Sequence, residues 1–243
     1  MLTNEEKRIG ILKRFHHAIM PAELLKINAF ERSFSTTLVT TFEACARLIA
    51  LEHHQQAVRG YSVEENVSQN ALNEVENIVR QLGNPAAERL SLADMVSRVL
   101  DRQKDNDLVP VKVISGLYVR KHNGEEMFFE IKSPVPNKGQ CLEVLQRILR
   151  VHLLRGKTRP AVSAYFAMAY NPFGRGRNEY RWSIAHQYLP FEEAVVLADE
   201  FWRLLGGTGT YEHLLQIYQE VGQLWSRFIL NALVGNSAEG GEG

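Results

Sequence analysis

A chain of 243 residues with 45% hydrophobic and 23% charged side chains is enough for one large folded domain, and excludes a disordered or collagen-like polymer. Its 28 basic and 28 acidic residues cancel, so net charge alone gives no pull toward nucleic acid. No stretch approaches about 18 uninterrupted apolar residues, so no membrane span is expected. The opening MLTNEEKRIG lacks the apolar core of a signal sequence, and Cys45 and Cys141 stand far apart without a Cys/His cluster. The expected setting is cytoplasmic, without disulfide scaffold or zinc site.

The first hundred residues read as helical. Apolar residues recur at helical spacing at Ile9, Ile11, Leu12, Phe15 and Ile19, then through 35–57 and 71–82. Ser91 is a suitable N-cap for a segment whose Leu92, Met95, Val96, Val99 and Leu100 share a stripe. At Leu108 the pattern changes. Val109–Arg120 and Met127–Ile131 are rich in β-branched and aromatic residues and flank Asn123-Gly124, a hairpin signal. Helical spacing returns over Lys138–Leu154, and Ala161–Tyr170 is an apolar run suited to a buried central strand. A Gly/Pro loop at Asn171–Asn178 follows, then one more strand over Tyr180–Tyr188, helices over Phe191–Leu205 and Tyr211–Leu233, and a frayed tail. The predicted organisation is one α/β domain: a helical N-terminal region over 1–105, a core with C-terminal helices over 106–235, and a tail over 236–243.

Charge is unevenly spread. Lys138–Arg181 holds nine Lys/Arg against two Glu, whereas Pro190–Gly243 holds eight Asp/Glu against two Arg. That suits one basic face meeting a polyanion, and equally a pair of solvated helix faces.

The densest chemical signal is Phe128-Phe129-Glu130-Ile131-Lys132. Strand alternation puts Glu130 and Lys132 on one face and Ile131 on the other. A carboxylate and an ammonium so placed can hold a divalent metal and prepare a water for phosphodiester hydrolysis, or simply form an ion pair on an exposed strand. Asn137-Lys138-Gly139-Gln140 opens the next helix, which puts Gln140 or Lys138 either near that site or in a polar cap. Arg147, Arg150, Arg155, Lys157 and Arg159 gather along and beyond that helix as phosphate contacts or solvated charges. Arg175 and Arg177 sit between glycines in a loop, where an arginine can reach guanine in the major groove, with Arg181 just beyond. The pairs His16-His17 and His53-His54 lack ligand spacing. Glu74 and Glu76 can supply a further acid from a neighbouring helix, or be solvated. Tyr165, Phe166 and Tyr170 read as core.

The strand, turn, E-x-K strand and helix resemble the catalytic hairpin of the PD-(D/E)XK nuclease superfamily. With FERSFST at 30–36, FFEIKSPVPNKGQ at 128–140, AYFAMAYNPFG at 164–174 and FWRLLGGTGTYEHLLQIYQEVG at 201–222, the chain resembles the TdeIII-type family of type II restriction endonucleases. The resemblance implies a restriction-endonuclease-like core, a mixed central sheet flanked by helices, with a helical N-terminal elaboration and C-terminal helices. It implies a homodimer that uses Mg²⁺ to cut double-stranded DNA at a short symmetric site of GGNCC type, beside a methyltransferase that protects the host. Glu130 and the backbone carbonyl of Ile131 would hold the metal, Lys132 and Gln140 would assist, and Lys138, Arg155, Lys157, Arg175, Arg177 and Arg181 would meet DNA.

One position departs from the pattern. The superfamily needs an acid on the strand before E-x-K, placed in this family just before Leu117-Tyr118, and Gly116 stands there. If His122-Asn123-Gly124 form a three-residue loop, residues 121 and 125 pair, and Gly116 lies opposite Glu130 with Cβ positions about 5 Å apart. The chain is then an impaired nuclease. A non-cleaving DNA-binding protein and a structure-specific repair nuclease of the same superfamily are the alternatives.

Overall fold

The computed structural model describes residues 22–156 and 161–234. The helical pattern at 9–19, His16-His17, Lys157, Arg159 and the tail lie outside the described residues. The chain divides into two compact units, one of residues 1–40 with 214–243 and one of residues 41–213.

The larger unit is built on a five-stranded sheet in the order β1 (Gln56–Ser68), β2 (Leu108–Arg120), β3 (Glu126–Ile131), β4 (Val162–Met168), β5 (Val195–Leu197). β1 pairs with β2 and β2 with β3 antiparallel, whereas β3 pairs with β4 and β4 with β5 parallel. Helices α2 (Gln69–Leu82), α3 (Leu92–Asp101) and α4 (Lys138–Arg155) pack on it, with the short α5 (Ser183–Tyr188) and α6 (Phe191–Ala194) and then α7 (Asp199–Gly206). A mixed sheet flanked by helices is the expected fold class.

Local chemistry sets the elements. Ser68 and Ser91 cap α2 and α3 by accepting from the Ala71 and Asp94 N–H groups, and α2 buries Ala71, Val75, Ile78 and Leu82 along one stripe. The hairpin forms as the sequence predicts. The Lys121 N–H donates to the Glu125 carbonyl at 2.8 Å, the Gly124 N–H to the Lys121 carbonyl at 2.9 Å, and Gly124 sits at φ 85, where a side chain would be strained. Leu117 then faces Phe129 and Tyr118 faces Phe128, so the next pair in register is Gly116 with Glu130. β4, with strands on both sides, is the buried inner strand foreseen in the apolar run.

Three expectations are corrected. Residues 56–68 form a long edge strand in a region expected to be helical, so the N-terminal hundred residues are not all helical and the sheet includes a strand from before residue 105. The sequence there is polar because one side of β1 stays wet: only Ala57, Val63, Val67 and Ser68 are buried. The 180–188 strand is absent. Tyr180 Oη and Trp182 Nε1 donate at 2.7 Å to the carbonyls of Pro134 and Pro136, which anchors the aromatics to the loop after β3, and α5 buries Ala185 and Tyr188. The helix expected over 191–205 is broken by β5, because the fully buried run Val195-Val196-Leu197 pairs with β4.

Helix α1 (Ala22–His53) runs through both units, and α8 (Thr210–Val234) extends through the end of the described chain. Its stretch Glu31–His53 is long and apolar enough to cross a membrane by length and composition alone. It carries Glu43 and Arg47, however, and buries Ala46 and Ala50 completely.

Candidate active site

An open cleft of about 620 Å³ lies at β1, β2 and the end of β3, lined by the E-x-K residues, Ser115, Gly116 and Arg147 on one side and by Glu43, Arg59 and Gly60 on the other. Two glycines hold it open. Arg59 faces Leu117 and Tyr61 faces Ser115, which leaves Gly60 beside Gly116, with no side chain on either strand next to Glu130. Gly60 is itself at φ 63.

Glu130 is 7% exposed and both its oxygens are engaged. Oε1 accepts from the Gly116 N–H at 3.2 Å, and Oε2 from Arg147 Nη1 at 3.1 Å. Arg147 Nη2 also reaches Glu143 at 2.8 Å. Burial pushes the Glu130 carboxyl above its ordinary range, while Arg147, the Gly116 N–H and Lys132 pull it back down. Lys132 is half-buried just beyond β3, its backbone N–H bound to the Ala167 carbonyl at 3.0 Å. Across the cleft Glu43 pairs with Arg59 at 2.6 Å.

Among the described residues no three His, Cys, Asp or Glu converge as a metal cluster. The carboxylate residues that line the cleft are Glu130 and Glu43, with Ile131 between Glu130 and Lys132. Such a set fits a hard divalent cation, which takes one or two carboxylates and completes its shell with water and phosphate oxygen. The two guanidiniums now balance the two carboxylates.

Several predicted site residues are placed elsewhere. Gln140 closes a capping box on α4: its backbone N–H donates to Asn137 Oδ1 at 2.9 Å and its Oε1 accepts from the Asn137 N–H at 3.0 Å. Lys138 donates to the Gly83 carbonyl at 2.6 Å and lies over the Tyr188 ring. Arg155 binds Glu126 at 3.0 Å and stacks on Phe128, beside the Tyr118 hydroxyl that donates to the same carboxylate. Arg177 is the most heavily engaged of them. Its guanidinium binds Glu200 at 2.6 Å, donates to the carbonyls of Phe191 and Val195 and lies over the Phe191 ring, which leaves no free edge for a base. Arg175 and Arg181 stay exposed, and Glu179 accepts the backbone N–H groups of Arg175 at 2.7 Å and Gly176 at 3.1 Å. Glu74 and Glu76 are bound to Arg98 and Arg150.

Sequence reading missed the part played by Glu43, Arg59 and Arg147. The Glu143/Arg147 spacing on the helix after E-x-K was a usable signal for Arg147. Nothing in the sequence links residues 43 and 59 to Glu130, because the edge strand that carries Arg59 was not recognised.

A family model described as type II restriction endonuclease, HinfI, matches residues 2–222. The chain is similar to the type II restriction enzyme HgiCII of Herpetosiphon aurantiacus, 42% identical over 214 residues that are 88% of this chain and 78% of that protein. It is as similar to HgiBI and HgiEI of the same organism, each 42% identical over 226 residues, 93% of this chain and 82% of theirs. No solved structure matches significantly. The resemblance to type II restriction endonucleases holds, and the matching model carries the HinfI name.

Proposed function

The chain belongs to the HinfI family of type II restriction endonucleases, and from that premise we propose that it acts on double-stranded DNA at a short symmetric sequence of GGNCC type, with Mg²⁺ as cofactor and the Glu130/Lys132 cleft as its active site. The observation that supports the site is the buried Glu130 at the head of an open cleft, with Lys132 two residues on and a residue on the neighbouring strand directly beside it. Glu130 and the Ile131 carbonyl would hold the metal, which when bound supplies an activated water and neutralises charge on the phosphate. Lys132 orients that water and steadies the developing negative charge. Arg175 and Arg181 meet the DNA. A symmetric site is most simply read by a homodimer with one cleft per strand. The enzyme works in the cytoplasm, where a cognate methyltransferase protects the host's own sites.

Gly116 weakens this machinery. Where a second carboxylate would face Glu130 there is only an N–H, and that N–H donates to Glu130 while Arg147 neutralises the other oxygen. We expect slow cutting or none. Digestion of plasmid DNA in Mg²⁺ tests this: the present sequence should leave it intact, and Gly116→Asp should give discrete fragments. A Cβ there would stand 3.2 Å from the Phe129 carbonyl oxygen, at ordinary φ, so the carbonyl need give only slightly. Efficient cutting by the present sequence would place the second acid elsewhere, and Glu43 is the carboxylate across the cleft.

The complete satisfaction of Glu130 also favours a second reading, a protein that binds its site and does not cut. Site-specific binding by Gly116→Asp without cleavage in Mg²⁺ or Mn²⁺ would establish it. Random nicking or cutting confined to branched DNA would point instead to a structure-specific nuclease.

A further inference from the structure

In the unit formed by residues 1–40 and 214–243, helix α8 carries Leu214, Ile217, Val221, Leu224 and Phe228 at alternating spacings of three and four. Leu214 is buried, but Ile217, Val221, Leu224 and Phe228 are 45%, 47%, 79% and 72% exposed. Single exposed apolar residues are ordinary, whereas a continuous stripe marks an interaction surface. The three-four alternation is that of a two-stranded coiled-coil seam, and it extends for about 21 Å. One flank of the stripe carries two opposite charges a heptad apart, Glu220 and Arg227.

We propose that this face receives a second copy of the chain, α8 lying antiparallel on α8 about a two-fold axis between residues 222 and 223. The proposal rests on the homodimer reading above and gives it a surface. What selects this occupant is self-complementarity. The axis sets Ile217 against the partner's Phe228 and Val221 against the partner's Leu224, so every exposed seam residue meets another. It also brings Glu220 beside the partner's Arg227, and the symmetry makes that contact twice. A parallel pairing would bring Glu220 to the partner's Trp225 and form no ion pair. An unrelated partner would have no need of a charge pattern that complements itself.

Sedimentation of the full chain over a range of concentrations tests the surface. The expected result is a dimer that Leu224→Glu with Phe228→Glu converts to a folded monomer, its far-UV circular dichroism unchanged because both side chains are exposed in the single copy, and its melt no longer dependent on protein concentration. Glu220→Arg alone or Arg227→Glu alone should weaken the dimer about 2- to 30-fold through the two symmetric contacts, and the two together should restore it to within about twofold. A monomer from the unaltered chain would overturn both the homodimer reading and this surface. A dimer that ignores Leu224→Glu with Phe228→Glu would keep the first and overturn the second. Loss on each single charge reversal without recovery in the double would overturn the antiparallel pairing.

Discussion

Glu130 sits where two demands conflict. Burial disfavours its charge, and Arg147 with the Gly116 N–H restores part of it. Because its folded pKa is raised, the folded state holds the proton more tightly than the unfolded chain does. Stability from this group is therefore full below the ordinary carboxylate range and is lost as pH rises through the folded pKa. Glu130→Gln should accordingly gain stability relative to the parent chain as pH goes from about 4 to about 8, measured by urea denaturation at each pH. In the Gly116→Asp background, Glu130→Ala and Lys132→Ala should each abolish fragment formation. Retention of cutting by both would remove them from the chemistry. Arg175→Ala should lower preference for the cognate site by about 1–3 kcal/mol, read as binding to cognate against random DNA, and an equal loss on both sequences would make Arg175 a phosphate contact.

At the scale of elements, two residues that look like site chemistry in the sequence make their contacts within the fold. Arg177 ties the 176–179 turn to α6, β5 and α7 through Glu200, two carbonyls and the Phe191 ring. Arg177→Ala should therefore cost about 2–4 kcal/mol of stability by leaving those partners unsatisfied, seen in a denaturant midpoint. Gln140→Ala should cost only about 0.5–1 kcal/mol through the capping box and leave the cleavage rate of the Gly116→Asp enzyme unchanged. A large rate loss without a stability loss would return Gln140 to the active site. The hairpin was legible because Asn123-Gly124 fixes a register over a few residues, and that register alone put Gly116 beside Glu130. β1 and β5 were not legible. The first is a polar edge strand whose pairing with β2 is set by residues some fifty positions away, and the second is a three-residue strand inside a helical pattern. Arginines are the hardest to read, since the same side chain serves as a strut at Arg177 and stays in solvent at Arg175.

For the whole molecule, the 28 basic and 28 acidic residues cancel, so affinity for DNA must come from local contacts and not from bulk charge. Many of the basic residues in 138–181 are already paired within the fold: Arg147, Arg150, Arg155 and Arg177 all bind carboxylates. Phosphate contacts should therefore be few. The slope of log affinity against log salt should be shallow, corresponding to about two to four phosphates per protomer at about 0.9 per contact. A much steeper slope would mean that those ion pairs open on DNA. The fold class and the E-x-K strand were readable from residue pattern. The second wall of the cleft, Glu43 and Arg59, exists only once the sheet is assembled.

The guanidinium of Arg147 gives the buried carboxylate a counter-ion that belongs to the chain itself. A nuclease built this way needs no metal to stay folded between encounters with DNA. Chelation should leave its melting temperature where it was, because the charge of Glu130 is already compensated within the chain. Arg147→Ala would remove that resident charge, and a melt that had ignored chelator should then begin to rise with added Mg²⁺.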